Sequence, residues 1–288
     1  MPEPRRRRWG DRLFVALTGA CAAVSLGVLV LILAAILFRG LPSVNWTFLT
    51  EQIRLVGASG GIFYNAVGTL ILITVAALVA APIGIALALT HGFYLPPGRA
   101  RRAMTLALYL LNGTPSILFG ILGFIVFVQL LGWGKSWLAG GILLGLMILP
   151  TVTVALVERI KVLPGRYVEA ARGLGLSRSQ VVRSVVLPQS IGGLFTGLLL
   201  GLARAAGETA PIMFTATIFA GASIPSGVRE SPVLSLPYHI FILAQDSFDP
   251  SVAGKVWGTA VVLLGLVFLL SVAALPVRLR VHEEARDG

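Results

Sequence analysis

Residues 169–188 read EAARGLGLSRSQVVRSVVLP, and this polar stretch separates two long apolar runs of the chain. Ala, Glu and Arg favour a helix, and the two glycines of RGLG can end one. Ser177, followed three residues later by Gln180, has the pattern of a capping box that starts a second helix. Pro188 is expected to break that second helix before the next apolar run. The stretch therefore predicts two short helices joined by a turn.

The composition on both sides of this stretch is that of a membrane protein. The 288 residues are 56% hydrophobic and 12% charged, whereas soluble domains are about 25% charged. The net charge of +11 does not indicate nucleic-acid binding, because the basic residues lie in short segments flanking apolar runs. The lone Cys21 cannot form an internal disulfide, and with three scattered histidines the sequence has no zinc or haem spacing. No metal site is expected.

Six apolar runs, each of at least about 20 residues, are long enough to cross the hydrocarbon core of a bilayer. They cover residues 13–38, 62–90, 103–131, 137–157, 191–220 and 256–277. The first run is longer than the apolar region of a signal peptide, so we expect an uncleaved spanning helix. The predicted fold class is an all-α polytopic membrane protein with six transmembrane helices.

The distribution of Lys and Arg predicts the orientation of these spans. Of 23 basic residues, 17 lie in the two tails and in the segments 91–102 and 158–190, and five lie in the connections on the other side. Positive charge accumulates on the cytoplasmic side, so both termini are expected to be cytoplasmic. The outward connection 221–255 has an apolar centre and is expected to dip into the membrane or to carry a short interfacial helix. The predicted segments are a basic cytoplasmic tail (1–12), the first transmembrane helix with its outer loop (13–61), a transmembrane core (62–277) containing the cytoplasmic loop 158–190, and a second cytoplasmic tail (278–288).

The spacing inside 169–188 resembles the cytoplasmic motif of binding-protein-dependent ABC importer permeases. That motif is EAA, three residues, Gly, nine residues, Ile, one residue and Leu-Pro. The matching positions here are Glu169, Ala170, Ala171, Gly175, Val185, Leu187 and Pro188, and Val for Ile is the one departure. The resemblance implies a type I ABC importer permease fold, in which this segment couples the chain to an ATPase subunit. An ordinary amphipathic connector is the alternative.

The chain has no nucleotide-binding loop of its own. A partial match to GxxxxGK[ST] ends at Gly134-Lys135-Ser136, but Gln129 occupies the position of its first glycine. We therefore expect no catalytic residue and no bound cofactor in this chain. ATP and Mg²⁺ are expected to be used by a partner ATPase.

The fifth apolar run contains two opposite charges. At 100° per residue, Arg204 and Glu208 fall on the same helix face as Gly193, Gly197 and Gly201. Glycines at four-residue spacing allow a second helix to approach closely, and charges in a bilayer face protein or a watery cavity. The face is therefore predicted to meet a partner helix or a central path, with lipid on the other side. An ion pair that only braces the helix is the alternative.

A second resemblance concerns the third and fifth runs. The stretches NGTPSI (112–117) and RAAGETAP (204–211) are similar to those of the A-type permease subunits of Pst phosphate importers. Chemistry agrees with an oxyanion but does not select phosphate, because a guanidinium fork suits phosphate and sulfate alike. NGTPS is equally readable as a proline kink. The candidate substrate-path residues are Arg204, Glu208, Thr209, Asn112, Thr114 and Ser116, and Thr215 is a further hydroxyl.

Together these resemblances imply the permease subunit of an ATP-driven inorganic phosphate importer in a bacterial inner membrane. The implied partners are a second permease subunit (PstC-like), an ATPase dimer (PstB-like), an extracytoplasmic phosphate-binding protein (PstS-like) and membrane lipid, without nucleic acid. One alternative is a permease for another oxyanion, molybdate or sulfate. Others are an ATP-independent secondary transporter with a proton-coupled site at Arg204 and Glu208, and a scaffold that reports phosphate status to a sensor kinase.

Overall fold

The computed structural model describes residues 5–54, 59–219, 224–246 and 250–273. The predicted tail 278–288 and the end of the predicted core, 274–277, lie outside the described residues. Five helical segments are long and apolar enough to cross a membrane, and a strongly bent pair of helices makes a sixth candidate. The prediction of an all-α chain with six spans is therefore confirmed if the bent pair counts as one span.

The chain is helical from Arg5, so most of the predicted basic tail 1–12 continues into the first helix. The helices are α1 (Arg5–Gly40), α2 (Trp46–Thr50), α3 (Phe63–Leu89), α4 (Arg99–Gly113), α5 (Ser116–Gly123), α6 (Trp137–Val162), α7 (Gly165–Gly173), α8 (Arg178–Val181), α9 (Leu187–Gly207), α10 (Ala210–Thr215), α11 (Leu236–Leu243) and α12 (Pro250–Ala273). Three π-helical turns, Thr90–Tyr94, Phe124–Leu130 and Val182–Val186, directly follow α3, α5 and α8. Two 3₁₀ turns, Leu41–Ser43 and Ala244–Asp246, follow α1 and α11. Strands β1 (Ile53–Arg54) and β2 (Ser59–Gly60) form a small antiparallel pair.

Helix α6 lies at the centre of the bundle, between α3 and α9. Its glycines allow α3 to approach closely, because a Cβ at Gly141 would lie 2.5 Å from the Val75 side chain. A Cβ at Gly145 would lie 3.0 Å from the Ala76 carbonyl oxygen. Close approach through small residues is the usual way in which helices associate in lipid, where apolar surface alone gives no preference for protein over lipid. The α3–α6–α9 packing is therefore the scaffold on which the rest of the chain is placed.

The third predicted span, 103–131, is not one straight helix. Helix α4 ends at Gly113, and the axis turns by 95° before α5 and its π-helical turn. Thr114 and Pro115 have extended ψ angles of 130° and 134°. Proline disfavours the helical conformation of the residue before it and has no N–H to donate. The prediction of a continuous helix is wrong here, and the alternative of a break at NGTPS is correct.

The fifth predicted span, 191–220, is also divided. Helix α9 ends at Gly207, Glu208 is extended with φ −76° and ψ 131°, and the short helix α10 begins two residues later. The helical wheel that placed Glu208 on the same face as Arg204 assumed that residue 208 belongs to the helix, whereas α9 ends at Gly207. This break lies beside the break at Pro115, because a Cβ at Gly120 of α5 would lie 2.7 Å from the Ala210 carbonyl oxygen of α10.

Helix α1 is attached to the bundle at its C-terminal end. Gly40 lies directly against the Trp257 backbone of α12, and the Arg39 guanidinium lies 5.1 Å from the centre of the Trp257 ring. The apolar side chains from residue 11 to residue 32 are exposed in the single chain. The first span is therefore an outer helix that does not contribute to the α3–α6–α9 core.

The connection 221–255 was predicted either to dip into the membrane or to carry a short interfacial helix, and the structure has a short helix there. This helix, α11, buries His239, and burial lowers the pKa of His239 to about 4. The backbone N–H of Leu236 donates to Thr69 Oγ1 of α3 at 2.9 Å. The connection is thus folded against the bundle over its described residues.

Candidate functional site

The polar segment 165–188 forms the predicted elbow of two short helices. Helix α7 ends in a Schellman motif, in which the N–H of Leu176 donates to the Ala171 carbonyl and the N–H of Gly175 donates to the Arg172 carbonyl, at 3.2 and 2.9 Å. Gly175 has φ +78°, a conformation that glycine adopts without steric cost. In a Schellman motif the left-handed glycine lies four residues after the first of the two residues whose carbonyls accept these bonds. This geometry explains the four-residue spacing of Ala171 and Gly175.

The second half of the elbow begins with the predicted capping box. Ser177 and Gln180 form it, and the Ser177 N–H donates to Gln180 Oε1 at 2.8 Å. The expected break at Pro188 is absent, because α8 passes through the π-helical turn Val182–Val186 into α9. Pro188 lies in the first turn of α9, where its missing N–H is tolerated. The elbow is thus joined to α9 without a loop, so a movement of the elbow is transmitted to that helix.

The residues that were predicted to couple the chain to an ATPase do not all face the same way. Glu169 and Ala170 are exposed, and so is Leu174, with 82% of its surface accessible. Ala171 is 5% exposed and packs in the interior of the chain, so it is not on the surface that a partner subunit would contact. Val185 is half-buried against the core, Leu187 is half-buried and Pro188 is exposed. Sequence reasoning missed Leu174, an apolar side chain displayed at the tip of the elbow.

The second candidate site lies where the two broken spans meet. Arg204, in the last turn of α9, donates from NH1 to Asn112 Oδ1 and from Nε to Glu208 Oε1, each at 3.4 Å. Asn112 belongs to α4, so three predicted path residues from two helices come together. The Arg204 side chain is 38% exposed and that of Glu208 is 17% exposed. Both bonds are long, which leaves the guanidinium able to turn towards another acceptor.

The predicted hydroxyls differ in whether they are free to donate. Thr114 Oγ1 donates to the Leu110 carbonyl at 2.8 Å, and the buried Thr215 donates to the Pro211 carbonyl at 2.9 Å. A hydroxyl has one hydrogen, so neither donates elsewhere without giving up its own helix. Ser116 and Thr209 have no side-chain hydrogen bond among the described residues. These two hydroxyls remain available to an anion.

The glycines and the charges do not share a face. Gly193, Gly197 and Gly201 are buried against α6, where a Cβ on Gly197 would meet Val152 Cα at 2.9 Å. Arg204 lies beside this interface and is open to the surroundings of the chain. The predicted face is therefore divided along the helix into a packed part at the glycines and an accessible part at Arg204.

Lys135 is a cation near the broken spans that sequence reasoning did not assign to the site. Its Nζ donates to the carbonyls of Met213 and Thr217 at 2.8 and 3.2 Å, at the end of α10. Burial lowers the pKa of Lys135. Gly134 and Ser136 flank it in a turn between helices, and Ser136 caps α6 by accepting the Ala139 N–H. Lys135 of this GKS triplet binds carbonyls at the C-terminal end of α10, and the triplet lies between helices, unlike the strand–loop–helix setting of a nucleotide site.

Comparison with known proteins agrees with this arrangement. Residues 80–281 match the family model described as binding-protein-dependent transport system inner membrane component. The chain is 33% identical over 269 residues, 92% of its length and 86% of the relative, to "Phosphate transport system permease protein PstA 2" of Mycobacterium bovis. It is 33% identical over 265 residues, 90% of each chain, to "Probable phosphate transport system permease protein PstA" of Methanocaldococcus jannaschii. Its fold is similar to that of an inward-facing MetNI methionine ABC transporter chain, with TM-score 0.56 and 17% identity over 77% of this chain and 94% of that one.

Proposed function

The chain belongs to the family of binding-protein-dependent transport system inner membrane components, and we propose that it is the permease subunit through which an ATP-driven importer moves inorganic phosphate. It is a multi-pass inner-membrane protein and a transport component that works with an ATPase and a substrate-binding protein. We propose phosphate as the substrate because relatives that cover most of the chain carry that name and because the site offers suitable chemistry. The partners would then be PstC-like, PstB-like and PstS-like subunits, and the PstB-like ATPases would use ATP and Mg²⁺.

The observation that carries this proposal is the cluster of Arg204, Asn112 and Glu208 at the junction of the two broken spans. The guanidinium offers several N–H donors in a plane that matches two oxygens of a tetrahedral oxyanion. Ser116 and Thr209 offer free hydroxyls close by in sequence, at the starts of α5 and α10. In this proposal an anion takes the place of Asn112 and Glu208 as the acceptor of the Arg204 hydrogen bonds.

Glu208 gives a physical reason for preferring phosphate to sulfate. Near neutral pH phosphate retains at least one O–H, whereas sulfate has none. An ionised carboxylate is an acceptor only, so Glu208 can accept from a protonated phosphate and would repel sulfate. Arg204 would attract either anion, and Glu208 would then distinguish them.

The test is transport by the reconstituted complex. The chain, its partner permease and the ATPase are placed in proteoliposomes with the binding protein, and ATP-driven uptake of radiolabelled phosphate is measured against excess sulfate or molybdate. We expect uptake that requires ATP and is not reduced by either competitor. Uptake that follows a proton gradient without the ATPase would contradict the ATP-driven function, and preferential competition by sulfate or molybdate would contradict the choice of phosphate.

We also propose that the elbow docks on the ATPase through Glu169, Ala170 and Leu174, its exposed side. Glu169→Lys reverses a charge on this surface without disturbing a buried group, so we expect ATPase copurification and uptake to be lost while the chain remains monodisperse. Glu51→Lys, which reverses a partly exposed carboxylate that pairs with Arg54 outside the elbow, should leave copurification unchanged. Normal ATPase association of the Glu169 variant would show that the elbow is not the coupling element.

A further inference from the structure

A cavity of about 560 Å³ lies on the same face of the bundle as the elbow, away from the candidate path. Its walls are the π-helical turn after α3, the N-terminal half of α4 and the end of α6. The lining residues used below are His91, Arg101, Arg102, Thr105, Tyr109 and Lys161. Its volume is within the range of about 300–1,000 Å³ that is usual for small-molecule sites.

The lining carries an excess of positive charge. Arg101 is held in place, because its Nε donates to the His91 carbonyl at 2.8 Å and its NH2 to the Gly92 carbonyl at 3.3 Å. Arg102 is exposed and has no side-chain partner within the described parts of the chain. Lys161 pairs with Glu158 at 2.7 Å. The three cations of the lining, Arg101, Arg102 and Lys161, therefore have one carboxylate beside them. A group that binds here must therefore bring negative charge.

One ring nitrogen of His91, in the wall of the cavity, has no hydrogen-bond donor opposite it among the described residues. The ring is 6% exposed, and its Nε2 lies 2.8 Å from Thr105 Oγ1. Thr105 uses its own hydrogen on the Arg101 carbonyl, so Nε2 is the protonated nitrogen. Nδ1 is then a buried acceptor, and it has no partner among the described residues. Such an acceptor is costly to leave unpaired, but the chain covers this nitrogen, so the ligand is inferred from the charged and apolar walls alone.

The cavity is apolar on its remaining side. Leu106 and Tyr109 line it and are exposed, and Leu110 continues the exposed apolar surface along α4. This surface leads away from Arg101 towards the middle of α4. The site is therefore polar and cationic at one end and continuous with an exposed apolar surface at the other.

We propose that this cavity binds the headgroup of an anionic glycerophospholipid. The phosphate would lie between Arg102 and Lys161, and the acyl chains would follow Leu106 and Tyr109. Basic pockets between spans at one membrane face bind anionic headgroups by this combination of charges. The site is separate from the candidate path, because Arg102 precedes Asn112 by ten residues of α4, roughly 15 Å along the helix.

The test measures lipid binding by the full-length chain in detergent, by native mass spectrometry and thermal stabilisation. The probes are dioleoylphosphatidylglycerol, dioleoylphosphatidylcholine and inorganic phosphate. We expect stabilisation by phosphatidylglycerol alone. Equal stabilisation by phosphatidylcholine would overturn the headgroup assignment, and equal stabilisation by inorganic phosphate would assign the cavity to a free anion instead of a lipid.

The matched variants are Arg102→Gln and Arg99→Gln. Both remove one charge from the first turn of α4, but only Arg102 lines the cavity. We expect Arg102→Gln to weaken phosphatidylglycerol binding about fivefold and Lys161→Gln to add a similar loss, while Arg99→Gln has little effect. Equal weakening by Arg99→Gln would mean general attraction to a basic surface and would overturn the proposal. Arg102 and Arg99 are both exposed, so replacing either of them does not disturb the Arg101–His91 contact.

Discussion

The two sides of α9 are built from opposite kinds of residue. Towards α6, Gly193, Gly197 and Gly201 allow close packing, since virtual Cβ atoms on them would lie only 2.7–3.1 Å from backbone or side-chain atoms of that helix. On the accessible side, Arg204 extends from the helix and makes two bonds of 3.4 Å. The packed side is complete within this chain. The open side has unused donors and is completed by a ligand or another subunit in the proposed importer.

The difference between the two sides indicates that α9 is fixed in the bundle by one side and carries the candidate transport residue on the other. The glycine contacts hold α9 against α6 and so keep the last turn of α9 in place. Since the elbow runs into α9 without a loop, the same helix joins the proposed ATPase contact to Arg204. Substitutions on the two sides should therefore be separable, with folding affected by one side and transport by the other.

Gly197→Leu should have the largest effect, because it breaks the packed side. Its Cβ would meet Val152 Cα at 2.9 Å and Ala155 Cβ at 3.0 Å, and backbone cannot move aside as a flexible side chain can. Overpacking costs about 1–3 kcal/mol or more, so we expect little monodisperse protein by size-exclusion chromatography. Gly19→Leu in α1, where a Cβ meets nothing within 4 Å, is the control and should be tolerated. Equal yields would show that the α6–α9 contact is not essential to the fold.

Arg204→Gln should have the next largest effect and should leave the fold intact. Hydrogen bonds to charged groups contribute about 1.5–3 kcal/mol, which predicts at least a tenfold fall in phosphate uptake. The measurement is the initial rate in proteoliposomes, with complex assembly checked by chromatography. Glu208→Gln is the companion variant, and it should keep uptake while reducing discrimination against sulfate. Normal uptake by the Arg204 variant would leave the pair as a structural brace only.

The parts of this comparison that sequence could predict are those with a local cause. Glycines at four-residue spacing indicated the packed side of α9, and Ser177 with Gln180 indicated the second helix of the elbow. Charge placement indicated Arg204 as a candidate site residue, and that role stays a prediction. Each of these signals lies within about two helical turns, where spacing along the chain decides what is near in space.

The breaks were harder because proline has no single structural meaning in a membrane helix. Pro82 and Pro150 lie inside α3 and α6, whereas Pro115 accompanies the 95° bend. Pro188 follows a π-helical turn and interrupts nothing. Neighbouring helices decide whether freed backbone groups find partners, so the outcome depends on packing that local sequence does not show. The end of α9 at Gly207 lies four residues before Pro211, which has no N–H to donate to the Gly207 carbonyl, so this break had a local signal that was missed.

Gly120→Ala should have an intermediate effect, because Gly120 lies where the two broken spans touch. The added Cβ would meet the Ala210 carbonyl oxygen at 2.7 Å and Pro211 Cα at 3.1 Å. We expect a loss of about 1–3 kcal/mol in stability, seen as a lower melting temperature, with part of the uptake retained. Gly265→Ala in α12 has open space and should be neutral or stabilising. An unchanged melting temperature would mean that α5 and α10 are free to separate.

The smallest effect should distinguish the two hydroxyls at the bend. Ser116 has no partner among the described residues, whereas Thr114 already donates to Leu110 at 2.8 Å. One hydrogen bond contributes about 0.5–1.5 kcal/mol, so Ser116→Ala should raise the KM for phosphate about two- to tenfold. Thr114→Val keeps the shape and should change the KM less than Ser116→Ala does. The reverse order would place the anion against Thr114, and the Thr114 hydroxyl would then have to leave its own helix during transport.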